Sequence, residues 1–216
     1  MKNDDPYQKS TIQLVQDYNL NTLPHDEEAE ETLLGSLLSD NSALDLIENG
    51  LSSLHFFVPI YGRIFQSICE LVYKDQIANL LPHREPMLLI DELKNIKKLH
   101  SATAIVNVKK NSFYVQGHFP DQPVMPGVLI VEAFGQAAAA LTAHGIDKST
   151  YENKLVFLMS VEKARFRNPV IPDCKLELNI EAIRSHGRVW KYKGEAFVDS
   201  KKMADAQWSA TIVDRK

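Results

Sequence analysis

The sequence predicts an α+β protein: a small all-helical unit, then an antiparallel sheet curled about one central helix. Three observations carry this expectation. Through the first third of the chain, apolar residues recur at helical spacing. The remaining two thirds string together short segments rich in β-formers, several of them strictly alternating. Among these segments lies a single long run, Val124 to Ala143, that is apolar almost all round.

Taken in order, Met1 to Asn21 is polar and weakly periodic and reads as a tail, with a helical turn at Ile12 to Tyr18. "LPHDEEAEETLLGSLLSDNSALDLI" reads as helix, because acidic residues crowd its first turn and Leu33, Leu34, Leu37 and Leu38 keep a helical period. "DNSALDLIENG" adds an N-cap signal at Asp40 to Ser42 and a Gly stop at Gly50. "PIYGRIFQSICELVYKD" gives a third helix with Ile60, Ile64, Ile68 and Leu71 on one face. The helical unit is expected over residues 22–78 and the β-rich unit over 79–216. Strands are expected at "SATAIVNV", "SFYVQ", "KLVFLM", "EKARFR", "CKLELNIEAI", "RVWKYKGEAFV" and "MADAQWSATIV". Leu176, Leu178 and Ile180 point one way and Lys175, Glu177, Asn179 and Glu181 the other, which means a sheet with one wet face. "SHGR" and "VDSKK" are the expected hairpin turns. The central helix begins near Pro126, where a missing N–H costs nothing, and its apolar circumference demands cover on nearly every side.

Composition narrows the function. With 44% hydrophobic and 24% charged residues, the 216-residue chain can build a sizeable core as an ordinary globular protein. The longest apolar run is interrupted by Glu132 and reads as a buried helix rather than a membrane span. The start is polar and acidic, without a signal-peptide core. Cys69 and Cys174 lie far apart without metal spacing, so reduced thiols in a cytoplasm are expected. Neither a phosphate-binding loop nor a strand-linked "GxGxxG" occurs. The net charge of −4 hides an asymmetry. Residues 1–78 carry 4 basic and 13 acidic residues, or −9, and the remainder 20 and 15, or +5. The positive region suits an acidic protein partner better than a nucleic acid.

The chemistry concentrates in "GHFPDQPVMPGVLIVEAFGQAAAAL". Glu132 has Val128, Leu129, Gly135 and Gln136 as its helical neighbours, so only Gln136 is polar. A carboxyl buried in such company resists ionisation and can act as an acid. A structural carboxyl bonded to backbone or to a buried Arg is the other reading. His118 stands on a path stiffened by Pro120, Pro123 and Pro126, where a fixed imidazole can serve as a base. Gly127 lies at the first helical turn, where backbone N–H groups are unpaired and a ligand can approach closely. A carbonyl oxygen there would be polarised by the amide and the helix dipole; a steric need beside Pro126 is the plainer reason for the glycine. A base, an acid and an oxyanion donor together suit elimination of water from a 3-hydroxyacyl thioester, with no metal and no redox cofactor.

"LLPHREPMLLIDEL", "GHFPDQPVMPGVLIVEAFGQ" and "FLMSVEKARFRNPVIP" resemble the FabZ-type 3-hydroxyacyl-[acyl-carrier-protein] dehydratases from about Ile77 to the C-terminus. The spacing of "GHFP" and "PGVLIVEA" sets His118 and Glu132 fourteen residues apart, as in that family. The resemblance implies a hotdog fold, an active site shared across a homodimer, with His118 from one subunit and Glu132 from the other, and assembly into a hexamer, a trimer of dimers. It implies conversion of a (3R)-3-hydroxyacyl group on acyl carrier protein to the trans-2-enoyl thioester. Glu at position 132 favours this type over dehydratase-isomerases, which place Asp there. Phe119, Pro126, Gly127, Val128, Gln136 and Phe157 become candidate substrate contacts, and Arg84, Lys163, Arg165 and Arg167 candidate contacts to the acidic carrier protein. Two departures are evident: Phe157 replaces a Tyr that some members carry, and "IPDC" replaces the more usual "xPGD" turn.

Residues 22–78 resemble the N-terminal helical domain of DnaB-type replicative helicases, which implies a docking or self-association role without the helicase motor. His25 and His55 lie there and are read as non-catalytic. Two other functions stay in view: a hotdog acyl thioesterase, and a replication-associated docking module with a secondary enzyme domain.

Overall fold

The structure, a computed structural model, describes residues 24–47, 51–151 and 153–215. The expected tail and the Gly50 stop lie outside them. The chain divides into two units, Met1–Ile68 and Cys69–Lys216, a boundary earlier than the one read from composition.

In the first unit α1 (Glu27–Ser39) begins at Asp26, whose side chain accepts from the Ala29 amide at 3.0 Å. That bond satisfies one of the helix's free N–H groups. Leu34 and Leu37 are buried, but Leu38 is 70% exposed, so the leucine run is broader than the face it supplies. A 3-10 turn (Asn41–Ala43) follows, capped as expected by Asp40, then the single turn α2 (Leu44–Ile47). The helix α3 (Pro59–Leu80) opens at the predicted proline and runs beyond the predicted end. Ahead of it, the Glu30 carboxylate accepts from the Phe57 amide at 2.7 Å and the Val58 amide at 3.3 Å. The inward face of α3 in this unit is Gly62, Phe65 and Ile68, whereas Ile60 is 46% exposed. Gly62 sets that rotation: a Cβ there would meet the Ser53 carbonyl oxygen at 2.4 Å, so the glycine lets two backbones touch. Phe65 then meets the Phe56 ring at 5.1 Å.

The second unit holds six strands: β1 (Glu92–Lys97), β2 (Ser101–Val108), β3 (Lys154–Phe166), β4 (Cys174–His186), β5 (Val189–Val198) and β6 (Lys201–Asp214). They form one antiparallel sheet in the order β1-β2-β4-β5-β6-β3. Leu176, Leu178 and Ile180 face inward as their alternation predicts. "KLVFLM" and "EKARFR" merge into the single strand β3, whose pairing with β6 shifts register twice. "SFYVQ" forms turns rather than a strand, closed by Ser112 N–H to Lys109 O and Val115 N–H to Ser112 O. In contrast, β1 is a strand that the sequence does not announce, because its residues do not alternate cleanly. The β5–β6 turn sets Asp199 and Ser200 at φ 47° and 65°. Two successive left-handed residues match the twist of the paired strands.

Across this sheet lies α4 (Gly127–Gly145), followed by the single turn α5 (Lys148–Tyr151). Phe134 stacks on Trp208 at 5.3 Å, and both are fully buried. By length and composition α4 could cross a membrane, but it is the core helix of this unit. One stripe of it stays open at the N-terminal end: Val128 is 72% exposed, and Glu132 and Gly135 are half-buried.

Candidate active site

Three backbone hydrogen bonds shape the segment that leads into α4. Phe119 N–H and Gln122 N–H each reach the other's carbonyl, at 3.2 and 3.1 Å, and the Val124 amide donates to His118 O at 2.8 Å. The His118 ring closes the same loop, with Nδ1 2.9 Å from Val124 O. A carbonyl only accepts, so Nδ1 carries a hydrogen and the neutral ring leaves the Nε2 lone pair free. Phe119, 56% exposed, stacks on the imidazole with centroids 4.2 Å apart. The loop is then tied to the connection between β3 and β4 by Met125 N–H donating to Val170 O at 2.9 Å.

Pro126 is the residue that caps α4. Its carbonyl takes the Leu129 and Ile130 amides at 3.0 and 3.4 Å, which leaves the Gly127 and Val128 amides at the helix end for an incoming acceptor. The Phe166 ring, at the end of β3, covers Gly127 so closely that an added Cβ would lie 2.8 Å from it. Phe166 escapes a reading of the sequence; it is 54% exposed and sits in a segment legible only as a strand.

Glu132 differs from its expectation. Its side chain is 34% exposed and has polar partners, so it is not a lone carboxylate sealed in apolar surroundings. It lies on the open stripe because β-strands cover the rest of the helix and leave this side uncovered. Gln136 Nε2 donates to its Oε1 at 2.9 Å, and His83 Nε2 stands 3.6 Å from the same oxygen. Gln136 is itself 1% exposed, with its remaining bonds to Met87 O and Leu89 N–H. Its amide is therefore spent inside the protein rather than presented to a ligand. His83 is missed by sequence reasoning; it lies in an irregular segment ahead of β1, where no period marks an inward direction. Burial pushes its imidazole below the usual histidine range; Glu132 pulls the other way and Arg84 adds to the lowering. His83 is thus a neutral ring at pH 7. Within the chain, the partners of His118 are Val124 and Phe119, and those of Glu132 are Gln136 and His83.

The remaining candidates scatter. Phe157 is 54% exposed on β3, paired with Thr211. Arg84 turns back to Leu81 O and His83 O, and Arg167 pairs with Asp205 at 2.6 Å. Lys163 and Arg165 line a hollow of about 640 Å³ on the sheet that also contains Glu181, Glu195 and Asp205, so the charge there is mixed. In the first unit His25 stacks on Phe57, and His55 Nδ1 accepts from Ser52 N–H. Among the described residues, no cluster suited to a metal ion occurs.

Comparison with known proteins adds to this geometry. The FabA-like domain family model matches residues 81–207. The 3-hydroxyacyl-[acyl-carrier-protein] dehydratase FabZ of Myxococcus xanthus is 48% identical over 140 residues, which cover 65% of this chain and 91% of that protein. Its counterpart from Paramagnetospirillum magneticum is 45% identical over 141 residues, covering 65% and 87%. Among solved structures, the dehydratase heterocomplex ApeI:P from Xenorhabdus doucetiae aligns with a TM-score of 0.56 at 15% identity, over 64% of this chain and 91% of that one. A mutant thioesterase from Pseudomonas aeruginosa aligns with a TM-score of 0.50 at 15% identity, over 65% and 94%. At such identities these two show the fold alone: a sheet wrapped on one long helix. The DnaB-like helicase N terminal domain model matches residues 22–118. Its stretch beyond Leu80 runs through β1 and β2, which belong to the sheet.

Proposed function

We propose how this chain, which belongs to the FabA-like family and within it to the FabZ 3-hydroxyacyl-[acyl-carrier-protein] dehydratases, divides its reaction among its residues. The reaction is dehydration of a 3-hydroxyacyl thioester on acyl carrier protein, in fatty-acid biosynthesis. His118 Nε2 takes the proton α to the thioester carbonyl. The charge that develops on the carbonyl oxygen is met by the Gly127 and Val128 amides and the positive end of α4. Glu132 protonates the departing 3-hydroxyl, water leaves, and the double bond forms between the α and β carbons. The imidazolium then loses its proton and the carboxylate regains one, through solvent, before the next turnover.

The observation that carries this assignment is the Nδ1 bond of His118 to Val124 O, which favours a ring presenting Nε2 as base. In this reading the working pair forms between two subunits, His118 of one facing Glu132 of the other. The edge strand β3 supports such a dimer: Phe157, Leu158, Met159, Val161 and Phe166 are all between 42% and 57% exposed on it. A row of large apolar groups on a sheet edge calls for cover. Three such dimers would make a hexamer, working in the cytoplasm.

The test is an enoyl-forming assay on the full chain over a series of 3-hydroxyacyl chain lengths. His118→Ala is expected to lower kcat by about 10²- to 10⁴-fold, the range of a lost general base, with an unchanged melting temperature. Full activity in that variant sinks the assignment. Release of free thiol and acid in place of enoyl product would point to hydrolysis instead.

A further inference from the structure

The stripe of α4 that carries Glu132 leads inward to a small cavity. Gly135, half-buried, stands at its rim, and Ala139 and Thr142 continue the helical wall. The facing wall comes from the sheet: Val156 on β3, with Trp190 and Tyr192 on β5. Alternation along β3 sends the next residue, Phe157, to the opposite face. The hydroxyls of Thr142 and Tyr192 share a 2.6 Å bond, and Thr142 Oγ1 donates to Ala138 O at 2.8 Å. Neither hydroxyl hydrogen is free for a polar ligand. What remains is an end of about 10 Å³, room for little more than a methyl group.

Glycine weakens a helix interior relative to alanine, so Gly135 calls for a reason. Crowding within the chain does not supply one. A Cβ built at Gly135 meets nothing within 4 Å, whereas at Gly127 and Gly194 it would strike a ring. The missing side chain instead keeps open the step from Glu132 into the cavity. From Glu132 the stripe offers two directions. Toward Val128 it is exposed, the side by which a carrier-bound substrate enters; toward Ala139 it is roofed by the sheet.

We propose that Gly135 sets the length of acyl chain that the enzyme accepts. The tail of the substrate runs from Glu132 past Gly135, and its terminal methyl ends in the cavity behind. The inference rests on the reading of Glu132 as the acid facing the 3-hydroxyl. At about 1.5 Å of rise per residue, Gly135 lies about 4.5 Å beyond Glu132 along α4 and Ala139 about 10 Å. Carbon–carbon bonds of about 1.5 Å advance an extended chain by about 1.3 Å each, so a chain with its third carbon at Glu132 passes Gly135 at about the sixth or seventh carbon and reaches Ala139 near about the eleventh.

The test is the enoyl-forming assay on the full chain with 3-hydroxybutyryl, 3-hydroxydecanoyl and 3-hydroxydodecanoyl carrier thioesters. Gly135→Val sets a short side chain across the path. It is expected to keep kcat/KM for the butyryl substrate within about threefold and to lower it for the decanoyl substrate by about tenfold or more, since each methylene kept out of the protein forfeits about fourfold. Val156→Ala deepens the far wall and is expected to raise the dodecanoyl-to-decanoyl ratio by about threefold. Melting temperatures confirm that each variant is folded at the assay temperature. If the parent forms no enoyl product, or Glu132→Gln keeps full activity, the dehydration reading fails and this inference with it. If the parent is active while Gly135→Val keeps its length profile, or loses every length alike, the length-setting role alone is overturned. Where Gly135→Val does not fold, Gly135→Ala and Val156→Ala decide, and unchanged profiles in both overturn the role.

Discussion

In the N-terminal half of α4, Val128 is 72% exposed and Glu132 and Gly135 are half-buried; in its C-terminal half, Ala137 to Ala143 are all buried. The two halves have similarly apolar sequences. What separates them is the stripe 128, 132, 135 and 139, one face of the helix. At Ala139 that stripe is closed over by Val156, Trp190, Tyr192 and Ala210, while at Val128 it is uncovered within the chain. The closed half is packed like any protein interior and resists change in volume. The open half carries Glu132, the free amides and a glycine under the Phe166 ring. One helix is thus both the core and the wall of the candidate site.

Two glycines break or sharpen this contrast. The larger effect is expected from Gly127→Ala in the open half. The new methyl would meet the Phe166 ring, which is half-exposed and free to swing. Stability should therefore hold, while displacement at the helix end lowers kcat by about ten- to a hundredfold. Steady-state kinetics beside a thermal melt checks both halves of the statement. Gly194→Ala on β5, against the buried face of the same helix, should do the reverse. Its methyl would lie 2.7 Å from Phe134 and 3.0 Å from Trp208, both wholly buried. Overpacking of this kind costs about 1–3 kcal/mol, to be read from denaturant titration, with kcat near the parent value. If Gly194→Ala instead abolished activity without loss of stability, the buried face and the open stripe of the helix would not be distinct in function.

The smallest effect concerns pH and is silent near neutrality. Burial pushes the phenols of Tyr192 and Tyr151 up to about 12, from an ordinary value of 10.0. Tyr192 shares a 2.6 Å bond with Thr142 in the closed half of α4. Because the folded protein holds these protons more tightly than the unfolded chain, their contribution is complete below pH 10 and is lost as pH rises toward 12. The melting temperature should fall across that window, together with the rise of tyrosinate absorbance. A flat melting temperature there would mean that the closed half is wetter than its burial indicates.

Much of the second unit is legible because its signals are local. Leu176, Leu178 and Ile180 alternate with polar residues, and a strand can bury only one face of such a pattern. The short, stiff path from His118 to Gly127 also announces itself through its prolines and glycines. The first unit reads less well: Leu38 on α1 and Ile60 on α3 keep the helical period yet stay exposed, the latter because Gly62 turns α3 toward Ser53. The strand β1 is invisible in the sequence because its pattern does not alternate and its pairing with β2 supplies the missing information.

By itself the sequence determined the fold class, the central helix and the family, since periodicity and the "GHFP … PGVLIVEA" spacing are properties of neighbouring residues. Only the tertiary structure decided that Glu132 is half-exposed rather than sealed, that Gln136 faces it, and that His83 stands beside it as a neutral ring. Those facts depend on where a distant segment, residues 83–89, is laid against α4. Spacing along one helix fixes which residues share a face, but only the packing of other elements fixes what that face meets.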